Sequence, residues 1–120
     1  MSWTSEVLKL KSKIESFIGA EFNSALFNLY RDQNDSMGTH RDNEKELGPK
    51  PIISSLSLGT QRPFIFRHVK TKEKIKIDLL PGSLLIMKGE TQNYWKHELP
   101  KLSQPVGTRI NVTFRNIIQP

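Results

Sequence analysis

The sequence contains no cysteine, and this absence limits the metal chemistry that the chain can support. Disulfide bonds and thiolate zinc sites are both excluded, so any metal ion must be held by histidine, aspartate or glutamate side chains. Histidine is also scarce, since the chain has only His40, His68 and His97. The candidates for imidazole ligands are therefore reduced to these positions.

Long hydrophobic runs are missing as well. No stretch approaches the roughly 18 apolar residues that a membrane-spanning helix needs, and the N-terminus lacks the apolar run and small-residue cleavage site of a secretory signal. Because the sequence shows neither pattern, we expect an intracellular protein, in the nucleus or the cytoplasm, with no membrane partner.

Acidic residues are fewer than basic ones, and this imbalance bears on the class of partner. The 120 residues include 18 Lys and Arg against 12 Asp and Glu, which gives a net charge of +6. A basic surface favours anionic partners such as nucleic acids. The charge alone fits a basic domain without such a partner equally well.

Residues 1–19 have the spacing of an amphipathic helix that ends at Gly19, a suitable terminator. Apolar side chains recur three and four residues apart in this segment, at Trp3, Val7, Leu10, Ile14 and Phe17. From residue 22 the pattern changes to short runs rich in β-branched and aromatic residues, separated by Gly, Pro, Asn and Asp. These runs predict strands at residues 22–31, 51–58, 63–68, 74–80, 83–88, 94–99 and 108–118, and a short strand at 39–42.

Many short strands with turn signals between them predict a mainly β fold, either a sandwich or a jelly roll. The length suits one domain over residues 1–120, which we expect to be monomeric. In this prediction the N-terminal helix of residues 1–19 packs outside a β unit formed by residues 22–118.

The triplet His40-Arg41-Asp42 is the first candidate for a metal site. On an extended segment residues i and i+2 point to the same side, so one imidazole and one carboxylate can bind one cation. A second imidazole from a distant strand would complete the two-His, one-carboxylate face that suits octahedral iron(II). His97 fits this role better than His68, because His97 lies near a predicted strand end and His68 lies in a basic stretch. Taken alone, the triplet fits a hydrogen-bonded pair in a loop better than a metal site.

The last predicted strand carries an unusual polar face. Four polar side chains alternate with apolar ones and therefore share one side of the strand: Arg109, Asn111, Thr113 and Arg115. Buried arginines are costly unless an anion meets them, and a dicarboxylate would do so because guanidinium groups grip carboxylates in bidentate fashion. Asn28 and Tyr30 form a similar polar pair on the first predicted strand. The alternative is an edge strand with its polar face in water.

These segments together resemble the AlkB family of nucleic-acid dioxygenases, and particularly its eukaryotic nuclear DNA-repair branch. The resemblance covers residues 22–118. It is carried by NLY at 28–30, HRDNE at 40–44, PIISSLSLG at 51–59, FIFRH at 64–68, GSLLIM at 82–87, His97 with Leu99-Pro100, and RINVTFR at 109–115.

The resemblance implies a double-stranded β-helix, the cupin-like jelly roll, with Fe(II), 2-oxoglutarate and O2 as cofactors and co-substrates. It implies iron ligands at His40, Asp42 and His97. It places 2-oxoglutarate against Asn28, Tyr30, Arg109, Thr113 and Arg115, with Asn111 in support. The implied reaction is oxidative demethylation of N-alkylated bases in DNA or RNA, of the 1-methyladenine and 3-methylcytosine type, with formaldehyde and succinate as products.

Substrate recognition is where the sequence departs from the family pattern. The family has an acidic residue directly after the iron-binding aspartate, whereas this chain has Asn43 there and an acid one position later, at Glu44. We expect both residues and Arg41 to contact substrate. Phosphate contacts are one interpretation of a larger basic set: Arg41, Arg62, Arg67, His68 and residues 70–76. For each residue of this basic set, the alternative is a position in a solvated basic loop.

Family members also carry extra structure before the matching region, which forms a nucleotide-recognition lid, and here residues 1–21 alone precede it. The chain is therefore expected to be either a fragment of a longer protein or a minimal enzyme with a reduced lid. Two further hypotheses remain open. One is an Fe(II)/2-oxoglutarate hydroxylase that acts on a protein or small molecule, and the other is a catalytically degenerate nucleic-acid-binding module.

Overall fold

The computed structural model of the chain describes residues 4–42 and 45–118, and the predicted positions Trp3, Asn43 and Glu44 lie outside these ranges. Within the described ranges the helices are α1 (Ser5–Ile18) and α2 (Thr91–Tyr94), with a 3-10 turn at Lys45–Leu47. The strands are β1 (Ser24–Tyr30), β2 (Met37–His40), β3 (Ile53–Gly59), β4 (Arg62–His68), β5 (Lys74–Leu79), β6 (Leu84–Met87), β7 (Trp95–Leu99) and β8 (Arg109–Arg115).

The strands form two four-stranded antiparallel sheets that face each other. One sheet has the order β1-β8-β3-β6 and the other has the order β2-β7-β4-β5. This is the arrangement of a jelly roll, so the predicted mainly β fold is confirmed. Each predicted strand has an observed counterpart, with ends that differ by up to about three residues, as is usual for strand bounds taken from sequence patterns.

Helix α1 packs on the outer face of the β1-β8-β3-β6 sheet, as predicted. The Thr4 hydroxyl accepts a hydrogen bond from the Val7 N–H at 3.3 Å and caps the N-terminus, and Gly19 ends the helix with a φ of 70°. The buried stripe of α1 is centred on Ile14, which contacts a cluster on the sheet formed by Phe22, Ala25, Val112 and Phe114. Phe17 was predicted on this stripe but is 79% exposed, because Ile18 completes the row of every third and fourth residue instead.

A second hydrophobic core fills part of the space between the sheets. Its buried members are Tyr30, Leu47, Ile53, Phe64, Phe66, Leu79, Met87 and Leu99. This core surrounds the polar cavity described below and so keeps the walls of that cavity rigid.

Two local features differ from the sequence predictions. The short strand predicted at 39–42 is β2, which ends at His40, so Asp42 lies in the loop that follows. Residues 91–94, partly assigned to a strand, form the one-turn helix α2. The Asp42 N–H donates to the side chain of Gln92, a residue distant in sequence, whereas the Tyr94 N–H donates to the Glu90 carbonyl four residues earlier and closes the helical turn. Such contacts leave no trace in the hydrophobic pattern.

Candidate metal and dicarboxylate site

The structure brings His40, Asp42 and His97 together at one end of a cavity between the two sheets. His40 and His97 are direct partners on the paired strands β2 and β7, and their ring centroids are 4.4 Å apart. The Asp42 carboxylate reaches both rings, because Oδ1 lies 3.9 Å from His40 Nε2 and Oδ2 lies 3.9 Å from His97 Nε2. The candidate donor atoms of the three residues all lie within 4.8 Å of one another.

Hydrogen bonding orients the His40 ring. Its Nδ1 lies 2.9 Å from the Gly38 carbonyl oxygen, which can only accept, so Nδ1 carries the proton and donates it. The other nitrogen, Nε2, is the one on the side of Asp42. This is the usual arrangement of a metal-binding histidine, whose second nitrogen donates to a carbonyl or carboxylate.

Burial sets the protonation state of His97. The residue is 2% exposed, and burial, with a smaller electrostatic contribution from His40, lowers its pKa to about 4. His97 is therefore neutral near pH 7 and keeps a lone pair available. Its Nδ1 is buried without a hydrogen-bond partner among the described residues.

The polar face of β8 lines the same cavity. Arg109 and Asn111 are buried, and Thr113 and Arg115 are half-buried. Because these side chains point inward, the alternative of an edge strand with its polar face in water is wrong. Arg109 Nη2 donates to Ser57 Oγ at 2.9 Å, while the Nε atoms of Arg109 and Arg115 are buried without partners within the described part of the chain.

Strand β1 contributes the polar pair that the sequence indicated. Asn28 pairs with Asn111 and Tyr30 pairs with Arg109 across the β1-β8 ladder. The Arg109 guanidinium lies 5.1 Å from the centre of the Tyr30 ring. Burial raises the pKa of Tyr30 against the opposing effect of Arg109, so the phenol is neutral and can donate a hydrogen bond.

All these side chains line one cavity, together with apolar ones. Its wall consists of Leu26, Asn28, Tyr30, Met37, His40, Asp42, Ser55, Phe64, Met87, His97, Leu99, Arg109, Asn111, Thr113 and Arg115. Two imidazoles and a carboxylate at one end suit a divalent iron. Guanidinium N–H groups without partners in the same cavity suit a carboxylate. The residues present thus fit both a metal ion and a dicarboxylate.

Three further polar residues of the site were not singled out from the sequence. Ser55 accepts a hydrogen bond from the Asn111 amide, and Ser57 accepts the one from Arg109. Both serines lie two residues apart on β3, opposite β8, so their alternation within PIISSLSLG was the available signal. Gln92, which contacts Asp42, had no such signal because it lies on an unpredicted helix.

The other basic candidates lie outside the cavity. His68 Nδ1 accepts hydrogen bonds from the Lys70 and Thr71 N–H groups at 3.2 and 3.1 Å, so this imidazole orders a turn. The phosphate contact predicted for Arg62 is wrong, because this side chain is 0% exposed and donates to backbone carbonyls. Arg41 Nη1 donates to the Asn93 carbonyl at 2.9 Å.

Comparison with known proteins identifies related sequences and a related fold. The family described as the 2OG-Fe(II) oxygenase superfamily matches residues 1–115. Alpha-ketoglutarate-dependent dioxygenase alkB homolog 3 of Bos taurus is 44% identical over 124 residues, which is 96% of this chain and 43% of that protein. DNA oxidative demethylase ALKBH2 of Mus musculus is 37% identical over 124 residues, which is 97% of this chain and 52% of that protein.

The solved structure of OsALKBH1 has the same fold, with a TM-score of 0.65 at 21% identity over 93% of this chain and 64% of that one. The chain spans about half the length of the curated relatives it matches. Among its described residues, no helix has the length and apolar character needed to cross a membrane.

Proposed function

This chain belongs to the 2OG-Fe(II) oxygenase superfamily, and from that membership we propose that it oxidatively removes methyl groups from N-alkylated bases in nucleic acid. The resemblance to the AlkB family is confirmed by the relatives named alkB homolog 3 and ALKBH2. The observation that carries the proposal is the shared cavity, in which two imidazoles and a carboxylate face a strand bearing two arginines.

At the metal end, His40, Asp42 and His97 are the proposed ligands of iron(II). When bound, the iron would supply the activation of O2 that oxidises the methyl group while 2-oxoglutarate is converted to succinate. The chain itself holds the donors in place. The Gly38 carbonyl fixes the His40 ring, and burial keeps His97 neutral, so the His97 imidazole can bind a cation near neutral pH.

At the other end, Arg109 and Arg115 are the proposed partners of the 2-oxoglutarate carboxylates. Neither arginine forms an ion pair with an acidic side chain of the described residues. Two uncompensated guanidinium groups in a cavity are stabilised when an anion binds between them. Asn28, Tyr30 and Thr113 supply hydrogen-bonding groups around the same space, and Asn111 is held in line by Ser55.

The nucleic-acid part of the proposal has two supports. The chain carries a net charge of +6, and relatives are named as DNA oxidative demethylases. We propose 1-methyladenine and 3-methylcytosine lesions in DNA or RNA as substrates, in the nucleus or the cytoplasm, with residues 1–120 acting as one monomeric domain. Asn43, Glu44 and the remaining N–H groups of Arg41 follow the iron-ligand strand in sequence, and we propose that they contact the substrate.

The test is release of succinate and formaldehyde from 2-oxoglutarate and an oligonucleotide that carries N1-methyladenine or N3-methylcytosine, in the presence of iron(II) and ascorbate. His40→Ala removes a cavity histidine, and His68→Ala is its matched control because that ring lies outside the cavity. We expect formaldehyde from the unmodified chain and from His68→Ala, and none from His40→Ala or from an unmethylated oligonucleotide.

Two results would contradict the proposal in different ways. Succinate without formaldehyde would mean that the oxygenase site works but that the substrate is not a methylated base. Absence of both products from a folded chain would mean that the site does not perform oxygenase chemistry.

A further inference from the structure

The position of Asp42 depends on contacts outside the strand that precedes it. β2 ends at His40, so within the described ranges the Asp42 backbone has no partner on a neighbouring strand. Its N–H donates instead to the side-chain oxygen Oε1 of Gln92 at 2.7 Å, across 50 positions of sequence. A carboxylate held by a loop needs such an anchor if it is to face the two imidazoles reproducibly.

Gln92 is an unusual residue for its surroundings. It is 1% exposed, although burial of a primary amide is unfavourable unless its polar atoms are bonded. Its oxygen is satisfied by Asp42. Among the described residues, its nitrogen Nε2 reaches only the Met87 thioether sulfur, at 3.4 Å, which is a weak acceptor. An apolar side chain would fill this space at lower cost, so the bond to Asp42 is the feature that accounts for glutamine here.

Helix α2, which carries Gln92, also leads directly into the strand that carries His97. α2 ends at Tyr94 and β7 begins at Trp95. A second bond joins the same two segments, because Arg41 Nη1 donates to the Asn93 carbonyl. Two hydrogen bonds thus join the loop that follows β2 to helix α2. Of the two, the Gln92 bond is the one made to the backbone of Asp42 itself.

We propose that Gln92 is a positioning residue, which fixes the Asp42 backbone so that the carboxylate faces His40 and His97 at the separation a single divalent cation requires. The proposal rests on the metal site of the proposed function. Without the Gln92 oxygen the Asp42 N–H loses its partner, and the loop that carries the carboxylate gains freedom that metal binding must then remove. Loss of such supporting contacts around metal ligands typically lowers metal affinity about 10- to 100-fold.

The first experiment measures Mn²⁺ affinity by titration of the metal-free chain. Gln92→Met keeps the length of the side chain and removes its oxygen, and we expect it to weaken Mn²⁺ binding about 10- to 100-fold. Gln92→Glu keeps an oxygen at the same place and is expected to bind Mn²⁺ more tightly than Gln92→Met. The matched control is Asn93→Ala. In the part of the chain that the structure describes, the Asn93 side chain bonds only to the exposed Glu90, so the affinity of this variant should equal that of the unmodified chain.

The second experiment needs no variant. Hydrogen exchange of the unmodified chain should show a protected Asp42 amide, although this residue lies beyond the end of β2. Free exchange of this amide would overturn the proposal, as would equal Mn²⁺ affinities of Gln92→Met and the unmodified chain. Equal weakening by Gln92→Met and Gln92→Glu would also overturn it, because the oxygen would then be irrelevant. If the unmodified chain does not bind Mn²⁺, the proposed metal site itself is wrong, and the role of Gln92 is wrong with it.

Discussion

At the scale of single residues, Arg109 is the side chain on which we expect dicarboxylate binding to depend most. It is buried beside Tyr30, and its Nε has no partner among the described residues. Arg109→Lys keeps the charge but removes the bidentate fork, and we expect 2-oxoglutarate affinity to fall about 10- to 100-fold, as for loss of one charged hydrogen bond. Calorimetric titration with Mn²⁺ present measures this, with the surface variant Arg67→Lys as the control. An unchanged affinity in Arg109→Lys would exclude Arg109 from the binding site.

Arg62 has a structural role that its charge does not suggest. It is fully buried and donates to three backbone carbonyls: those of Asp32 at 3.2 Å, Asp35 at 2.9 Å and Pro100 at 2.8 Å. Arg62→Met leaves these carbonyls without their donor, and we expect the free energy of unfolding to fall by roughly 3 kcal/mol or more. Urea denaturation measures the change. Arg67→Met, on the same strand but paired with Glu98 at the surface, should cost less than about 1 kcal/mol, and equal losses would contradict this role.

His97 makes the stability of the metal-free chain depend on pH. Burial lowers its pKa to about 4, from a usual value of 6.5 that the unfolded chain retains. Between these values the unfolded state binds a proton that the folded state does not, so stability rises with pH from about 4 to about 6.5 and is lost on acidification. Across this pH range, His97 changes the free energy of unfolding by an amount on the order of 3 kcal/mol. His97→Gln should show a shallower dependence in urea denaturation across this range, and an unchanged slope would contradict the assignment.

At the scale of elements, the turn from β3 to β4 controls where β8 begins. Gly59 pairs with Arg109 and has a φ of 87°, and a Cβ atom there would collide with the Thr108 carbonyl oxygen. Gly82 has a similar φ of 77°, but among the described residues no heavy atom lies within 4 Å of its Cβ position. Gly82→Ala should therefore cost only backbone strain, about 1 to 2 kcal/mol. Gly59→Ala should cost several times more and should also weaken 2-oxoglutarate binding.

Thermal or urea denaturation of these two glycine variants, with a 2-oxoglutarate titration of each, checks the prediction. Similar stabilities and affinities of Gly59→Ala and Gly82→Ala would mean that the close approach to Thr108 does not hold the strand that carries Arg109.

Most strands were predictable because they are short runs rich in β-branched, aromatic or other apolar residues, separated by Gly, Pro, Asn or Asp. β3, β4 and β8 were located to within about three residues on this basis. The loop position of Asp42 was not predictable, because it depends on a contact between residues far apart in sequence, that of Asp42 with Gln92. Helix α2 was not predictable either, because a single turn is too short to show a helical period in the sequence. The periodicity of the sequence predicts α1, but the placement of Phe17 on its buried face is wrong, because the neighbouring Ile18 takes that position.

At the scale of the whole molecule, the site results from two sheets that face each other. The alternation on β8 predicted that Arg109 and Arg115 share a face, and the sheet pairing then places Asn28 and Tyr30 beside them. The sequence could not show that this face points inward, nor that β3 supplies serines against it. Those features follow from the strand order β1-β8-β3-β6 and from burial between the sheets, which only the three-dimensional arrangement determines.

The central claim is that this cavity binds a divalent metal and 2-oxoglutarate together. The measurement that tests it most directly is a calorimetric titration of the chain with 2-oxoglutarate, performed with and without Mn²⁺. We predict that Mn²⁺ strengthens 2-oxoglutarate binding by at least about tenfold, a coupling of roughly 1.4 kcal/mol. We also predict that Asp42→Ala abolishes this coupling. Binding of 2-oxoglutarate that is absent, or that is unaffected by Mn²⁺, would contradict the account.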